Sequence, residues 1–162
     1  MTDAMPATRA IDVVSDASVA LKWFHADGEE EVQPARALLE AHKARTVVLT
    51  VLDLTAYEIG NALLRGRAKA TAEQTATVLE ALTEICHAIS LSPAHTRLAT
   101  QLADQNNLTF YDAAYAAVAQ SREAFLITLD RQLLDAGLGK RPSELATQVP
   151  ITTERRRRTR SR

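Results

Sequence analysis

Residues 11–24 read IDVVSDASVALKWF. The run from Ile11 to Ser15 is short, apolar and β-branched, which predicts a buried strand, and Ala17 to Phe24 reads as the opening of a helix. Asp16 stands at the junction, where the strand's C-terminal end would deliver it. The rest of the chain repeats this alternation. Val32 to Ala44 has an Ala/Leu-rich helical pattern with Pro34 in its first turn, and Val47 to Thr50 reads as a second buried strand. Asp53 is expected to cap a helix from Leu54 to about Arg67, and Thr71 with Gln74 forms a capping box for a helix reaching about Cys86.

Further along, Ala88 to Leu91 predicts a third strand, and Ser92-Pro93 marks an N-cap followed by proline for a helix ending near Asn107. Asp112 is expected to open a helix of small residues, DAAYAAVAQ, able to press close against a sheet. Ala124 to Thr128 reads as a fourth strand, Asp130 as the start of a short helix, and Val149 to Ile151 as a last strand. Strands alternating with helices require βαβ units, hence an α/β fold with a mainly parallel sheet covered on both faces.

The chain holds 162 residues with a net charge of −1 and a single cysteine, which suits one domain without a disulfide or a thiolate metal cage. The longest stretch free of Asp, Glu, Lys and Arg is the 12 residues Ile85 to Thr96, short of the roughly 20 that span a bilayer. MTDAMPATRA at the start has no apolar signal core, so a cytoplasmic protein without membrane attachment is expected. Net charge hides an asymmetry: from Glu154 onward stand six Arg and one Glu, leaving the preceding 153 residues at −6. The Arg-rich end, 152–162, reads as a disordered tail, either a solvated terminus or a contact for nucleic-acid phosphates.

Candidate chemistry follows from where the acids fall. In an open parallel sheet, function gathers at the carboxyl ends of the strands. Asp16 follows the first strand, Asp130 the fourth, and Asp112 opens a helix at the same edge. Glu58 lies inside a helix: with Leu54 at 0° it falls at about 40° and Asn61 at about 340°, on a face shared with Leu54, Tyr57 and Ala62. Burial there would raise its pKa unless donors or a cation compensate. Taken singly, Asp16, Asp112 and Asp130 read more readily as helix caps than as ligands, and Glu58 equally as a surface acid. Converging together, they would repel one another unless a divalent ion neutralised them. Oxygen ligands without Cys or a His motif select Mg²⁺ or Mn²⁺, an ion suited to phosphodiester chemistry.

Four blocks in order, VVSDASVALKWF, AYEIGNALLRG, TFYDAAYAAVAQ and LITLDRQLL, make residues 11–151 resemble a PIN domain, specifically the VapC-type toxins of bacterial toxin–antitoxin pairs. The resemblance implies a three-layer α/β/α sandwich and a Mg²⁺- or Mn²⁺-dependent endoribonuclease. It implies a homodimer, an RNA substrate and a cognate antitoxin whose C-terminal segment covers the active-site groove. On this pattern Asp16, Glu58, Asp112 and Asp130 are the catalytic and metal-holding acids, with Ser18, Asn61 and Thr128 in support. Residues 1–10 and the Arg-rich tail fall outside it, and Ser15 departs from the apolar residue usual before the first acid. Asp12, on the same strand, would sit about 13 Å back from Asp16 and is set aside.

Trp23, Tyr111 and Tyr115 are read as packing residues, with Trp23 a secondary candidate for the antitoxin groove. The four histidines are assigned no chemistry. Two rivals remain: another acidic α/β phosphoryl-transfer protein, which lacks here the expected acidic pair with a late lysine, and a noncatalytic PIN-fold module that only binds RNA or a partner.

Overall fold

The computed structural model describes residues 9–148, apart from 27 and 29. Four strands form one sheet: β1 (Ile11–Ser15), β2 (Val47–Leu52), β3 (His87–Ile89) and β4 (Phe125–Ile127). Their order is β3-β2-β1-β4, and every neighbouring pair is parallel. Parallel neighbours need crossovers, and the helices supply them. α1 (Ala17–Phe24) and α2 (Val32–Lys43) join β1 to β2, and α3 (Asp53–Arg65) and α4 (Ala72–Ile85) join β2 to β3. α5 (Pro93–Asn106) and α6 (Phe110–Ser121) join β3 to β4; α7 (Arg131–Asp135) and α8 (Pro142–Gln148) complete the described chain.

Strand alternation divides the core between the two faces of the sheet. Val13, Val47, Leu49, Val51 and Ile127 pack with Val19, Trp23, Leu38, Ile59, Leu63, Leu82 and Leu145 from α1, α2, α3, α4 and α8. Val14, Leu52 and Leu126 point the other way, to Ala99, Leu102, Leu133 and the α6 run Ala113 to Ala119. α6 is buried along that whole run, because a helix of alanines can lie between sheet and α5 with little side-chain volume to accommodate. The result is the expected α/β/α sandwich with a parallel sheet.

Helix ends follow the local signals in most places. Thr71 and Gln74 close the capping box of α4, and Ser92 caps α5 with Pro93 at its first position. Several boundaries differ from the sequence reading. Asp53 is the first residue of α3, preceded by Leu52 as N-cap, and its carboxylate instead takes the Leu54 N–H and the Ser90 hydroxyl. α6 starts at Phe110 under a Thr109 cap, so Asp112 sits in the first turn. β2 runs two residues longer than expected, and β3 occupies His87–Ile89 because the α4 helix stops at Cys86 and pairing with Thr50 to Leu52 fixes the register.

α8 was not expected. The Glu31 carboxylate accepts from the Ser143 N–H and hydroxyl at 2.9 and 2.6 Å, the former an orphan donor of the first turn. The expected strand Val149–Ile151, the 1–10 extension up to residue 8 and the tail lie outside the described residues. Among the described residues no helix is long and apolar enough to cross a membrane.

His42 is structural: Nε2 lies 2.9 Å from the Ile85 carbonyl and Nδ1 accepts from the Leu49 N–H, joining α2, β2 and α4. Trp23 is buried in the core with its ring edge-on to Phe24.

A candidate acidic active site

The chain direction reverses across the sheet between β1 and β4, since β1 is followed by β2 on one side and β4 is added on the other. That switch point leaves a crevice at the carboxyl ends of the two strands. Asp16 follows β1 and residues 128–130 follow β4, so both strands deliver polar groups into one place.

Asp16 is 5% exposed, and its carboxylate is held on every side. Oδ1 accepts from the Ser18 hydroxyl at 2.5 Å and from the Val19 N–H at 3.2 Å, the latter capping α1. Oδ2 accepts from the Thr128 hydroxyl. Burial pushes Asp16 up to about 6, against the lowering by these three donors, and the Glu58 charge pushes it further the same way. One oxygen of Asp16 caps α1 while the other accepts from the residue that follows β4, so the same carboxylate ties the two strand ends together.

Thr128 and Ser18 knit the two strand ends together. Thr128 Oγ1 also accepts the Asp130 N–H at 2.9 Å, and Ser18 Oγ accepts the Leu129 N–H at 2.9 Å. Thr128 is fully buried, and Gly139 lies against it: a Cβ there would come within 2.5 Å of Thr128 Cγ2. Thr128 N–H donates to the Lys140 carbonyl and Lys140 N–H to the Leu126 carbonyl, so the 139–140 segment runs as a rudimentary fifth strand beside β4.

Glu58 arrives from α3 and is half-buried. Its Oε2 accepts from the Tyr115 hydroxyl of α6 at 2.6 Å. Burial raises its pKa, the Tyr115 bond lowers it, and the Asp112 charge raises it. Asp16, Glu58 and Asp112 therefore form an electrostatic chain, each acid feeling the next. Asp112 is partly exposed and shares a reciprocal cap with Thr109, whose hydroxyl donates to Oδ2 at 2.6 Å and accepts the Asp112 N–H. Asp130 caps α7 through the Leu133 N–H at 3.0 Å, and its link to the others runs through its own N–H and Thr128.

Two sequence expectations need correcting. The buried stripe of α3 is Thr55, Ile59 and Leu63, while Tyr57 is 76% exposed and Asn61 is exposed with no hydrogen bond to Glu58. The helix is rotated so that Glu58 sits at the margin of the buried face. Tyr111 is 60% exposed and Tyr115 only 1%, because the first turn of α6 stands clear of the core and the next turn enters it. Tyr115 and Thr55 were missed as neighbours of an acid; the one signal available was that Tyr115 follows Asp112 by one helical turn.

Lys43 pairs with Glu40 and Arg122 with Asp12. Asp12, turned to Arg122, is outside the group. As they stand, no three acids are drawn together closely enough to hold an ion among the described residues. Uncompensated carboxylates repel, and Asp130 is committed to its helix cap. The donor chemistry nonetheless fits a hard dication: carboxylate and hydroxyl oxygens from separate elements, with Asp16 and Glu58 raised in pKa by burial.

Comparison with known proteins gives four findings. The PIN domain family matches residues 13–138. Ribonuclease VapC3 of Pyrobaculum aerophilum is 35% identical over 127 residues, covering 76% of this chain and 92% of that protein. The crystal structure of PAE2754 from the same organism superposes with a TM-score of 0.65 at 25% identity, over 88% of this chain and 99% of that one. A toxin–antitoxin complex from Klebsiella pneumoniae shares the fold at a TM-score of 0.60 and 18% identity, over 80% of this chain and 97% of that one.

Proposed function

Because this chain belongs to the PIN domain family and is related to the VapC ribonucleases, we propose that it is a metal-dependent endoribonuclease, the toxin of a toxin–antitoxin pair. The observation that carries the reading is the buried Asp16 at the carboxyl end of β1, held by Ser18 and by Thr128 from the end of β4, with the charge of Glu58 from α3 raising its pKa.

Asp16, Glu58, Asp112 and Asp130 would hold Mg²⁺ or Mn²⁺, directly or through water. Such an ion supplies charge neutralisation at the scissile phosphate and acidifies a water molecule. The residues of the chain do the rest. Ser18 and Thr128 keep Asp16 fixed through its hydrogen bonds, so its charge is aimed before substrate arrives. Glu58, with one oxygen held by Tyr115, orients the attacking water, which adds to phosphorus as the P–O bond to the leaving nucleotide breaks. The half-buried setting limits competing water around the acids.

The antitoxin is the natural partner on this reading, and a homodimer acting on structured RNA in the cytoplasm is its expected form. The test is cleavage of structured RNA by the full chain in Mg²⁺, in EDTA and as Asp16→Asn. A circular RNA substrate separates internal cleavage from trimming at ends. Cleavage in EDTA equal to that in Mg²⁺ contradicts the metal requirement. The absence of any cleavage on a panel of transfer and ribosomal RNAs supports a binding module instead.

A further inference from the structure

The buried hydroxyl of Tyr115 has no role in the family pattern. The Leu52 N–H donates to Thr55 Oγ1 at 3.1 Å, Thr55 Oγ1 lies 2.8 Å from Tyr115 Oη, and Tyr115 donates to Glu58 Oε2 at 2.6 Å. A backbone amide only donates and an ionised carboxylate only accepts, so the chain has one polarity: Leu52 to Thr55 to Tyr115 to Glu58. Thr55 is fully buried and Tyr115 is 1% exposed, so water does not substitute for either partner. The start of the chain is rigid, since Leu52 is both the last residue of β2 and the cap of α3.

We propose that Tyr115 is a positioning residue, which clamps Glu58 by Oε2 and keys it to the helix that carries Asp112. Tyr115 follows Asp112 by one turn on α6, so the hydrogen bond sets the carboxylate of α3 relative to the acid of α6. Glu58 Oε1 accepts no hydrogen bond among the described residues and is left to serve the acidic group. Thr55 acts one step further back, directing the Tyr115 proton towards Glu58 and away from itself. A tyrosine needed only for packing would be satisfied by Thr55 alone. Here its proton goes to a half-buried carboxylate of another helix. The consequence for catalysis rests on the ribonuclease reading; the consequence for ion binding does not.

The experiment uses the full chain as Tyr115→Phe, Thr55→Val and Thr55→Ser, with the exposed Tyr57→Phe as control. Three quantities are measured: single-turnover cleavage at saturating RNA, RNA affinity with Ca²⁺ replacing Mg²⁺, and Mg²⁺ affinity by titration calorimetry without RNA. Loss of a group that orients a ligand costs roughly 10- to 100-fold in activity or metal affinity. Tyr115→Phe is therefore expected to slow cleavage by about tenfold and to weaken Mg²⁺ by a similar factor, with RNA affinity unchanged. Thr55→Val shows the same split more weakly, Thr55→Ser restores wild-type behaviour, and Tyr57→Phe changes nothing.

Wild-type cleavage and Mg²⁺ affinity in Tyr115→Phe overturn the proposal, as does an equal loss of RNA affinity, which marks a general loosening. Should Tyr115→Phe fail to fold, the contrast between Thr55→Val and Thr55→Ser decides it in the same way. If the wild type binds Mg²⁺ but cleaves no RNA, the ribonuclease reading falls while the Mg²⁺ measurement still judges Tyr115.

Discussion

Asp16 and Asp112 bring the same carboxylate to the same edge of the sheet, and the protein treats them oppositely. Asp16 is buried under three donors and pushed up to about 6; Asp112 is partly exposed and shares one reciprocal cap with Thr109. A buried carboxylate is fixed in direction but costs stability whenever it is ionised, whereas an exposed one keeps its hydration and little of its geometry. The difference separates an acid whose position is built into the core from one set by the first turn of a helix.

The largest expected effect tests whether both acids serve one reaction. Asp16→Asn and Asp112→Asn should each reduce single-turnover RNA cleavage by about 100-fold or more, as loss of a preorganised electrostatic group does. Full activity in either variant, in Mg²⁺, removes that residue from the site. Gly139→Ala probes the buried side alone. Its methyl would press on Thr128, so about 1 to 3 kcal/mol of destabilisation is expected, read by urea unfolding, with weaker cleavage because Thr128 holds Asp16. An unchanged midpoint would mean that the 139–140 segment yields without disturbing Thr128.

Stability should then split the two acids. Without metal at pH 7.5, Asp16→Asn removes an ionised buried group and still accepts the Val19 N–H as a cap, while its amide nitrogen replaces the acceptor of the Thr128 hydroxyl; the net gain in stability should be about 1 to 2 kcal/mol. That corresponds to a rise of roughly 2 to 8 °C in Tm. Asp112→Asn should stay within about 0.5 kcal/mol. Mg²⁺ at millimolar concentration should raise the wild-type Tm by mass action and raise that of Asp16→Asn less. Equal shifts would detach Asp16 from ion binding.

The smallest effect is the pH dependence of the Asp16→Asn gain. The folded pKa of Asp16 lies above its unfolded value, so folding binds a proton between the two. The cost of the ionised group is fully present above about 6 and lifts as pH falls towards the unfolded value of 3.8. Melting curves of the metal-free pair should therefore converge from pH 7.5 to pH 4. A gap that is constant over that range would show that the stabilisation has another origin.

The sequence made Asp16 legible because a strand, an acid and a helix follow one another without a loop, and local order is what periodicity reports. The alternation of elements, the caps at Thr71 and Ser92 and the parallel sheet were legible for the same reason. Asp112 was placed one turn wrongly because Thr109, three residues ahead of it, is the better cap: Thr-x-x-Asp is itself a capping pattern that marks the helix start. Tyr57 and Asn61 were assigned to a buried face because helical angle alone gives the spacing of residues, not the rotation of the helix against its neighbours. Tyr115 lay among alanines, where an aromatic reads as packing; its hydroxyl matters through Glu58, which comes from another layer. α8 owes its start to Glu31, far back in the chain.

The hydrogen bond from Thr128 to Asp16 closes 112 residues of chain. A ribosome making this protein therefore releases Asp16 early and its anchor late, so a nascent chain carries the acid without the groove that aims it. A chain that stops before β4 carries Asp16 without Thr128, the residue that holds it.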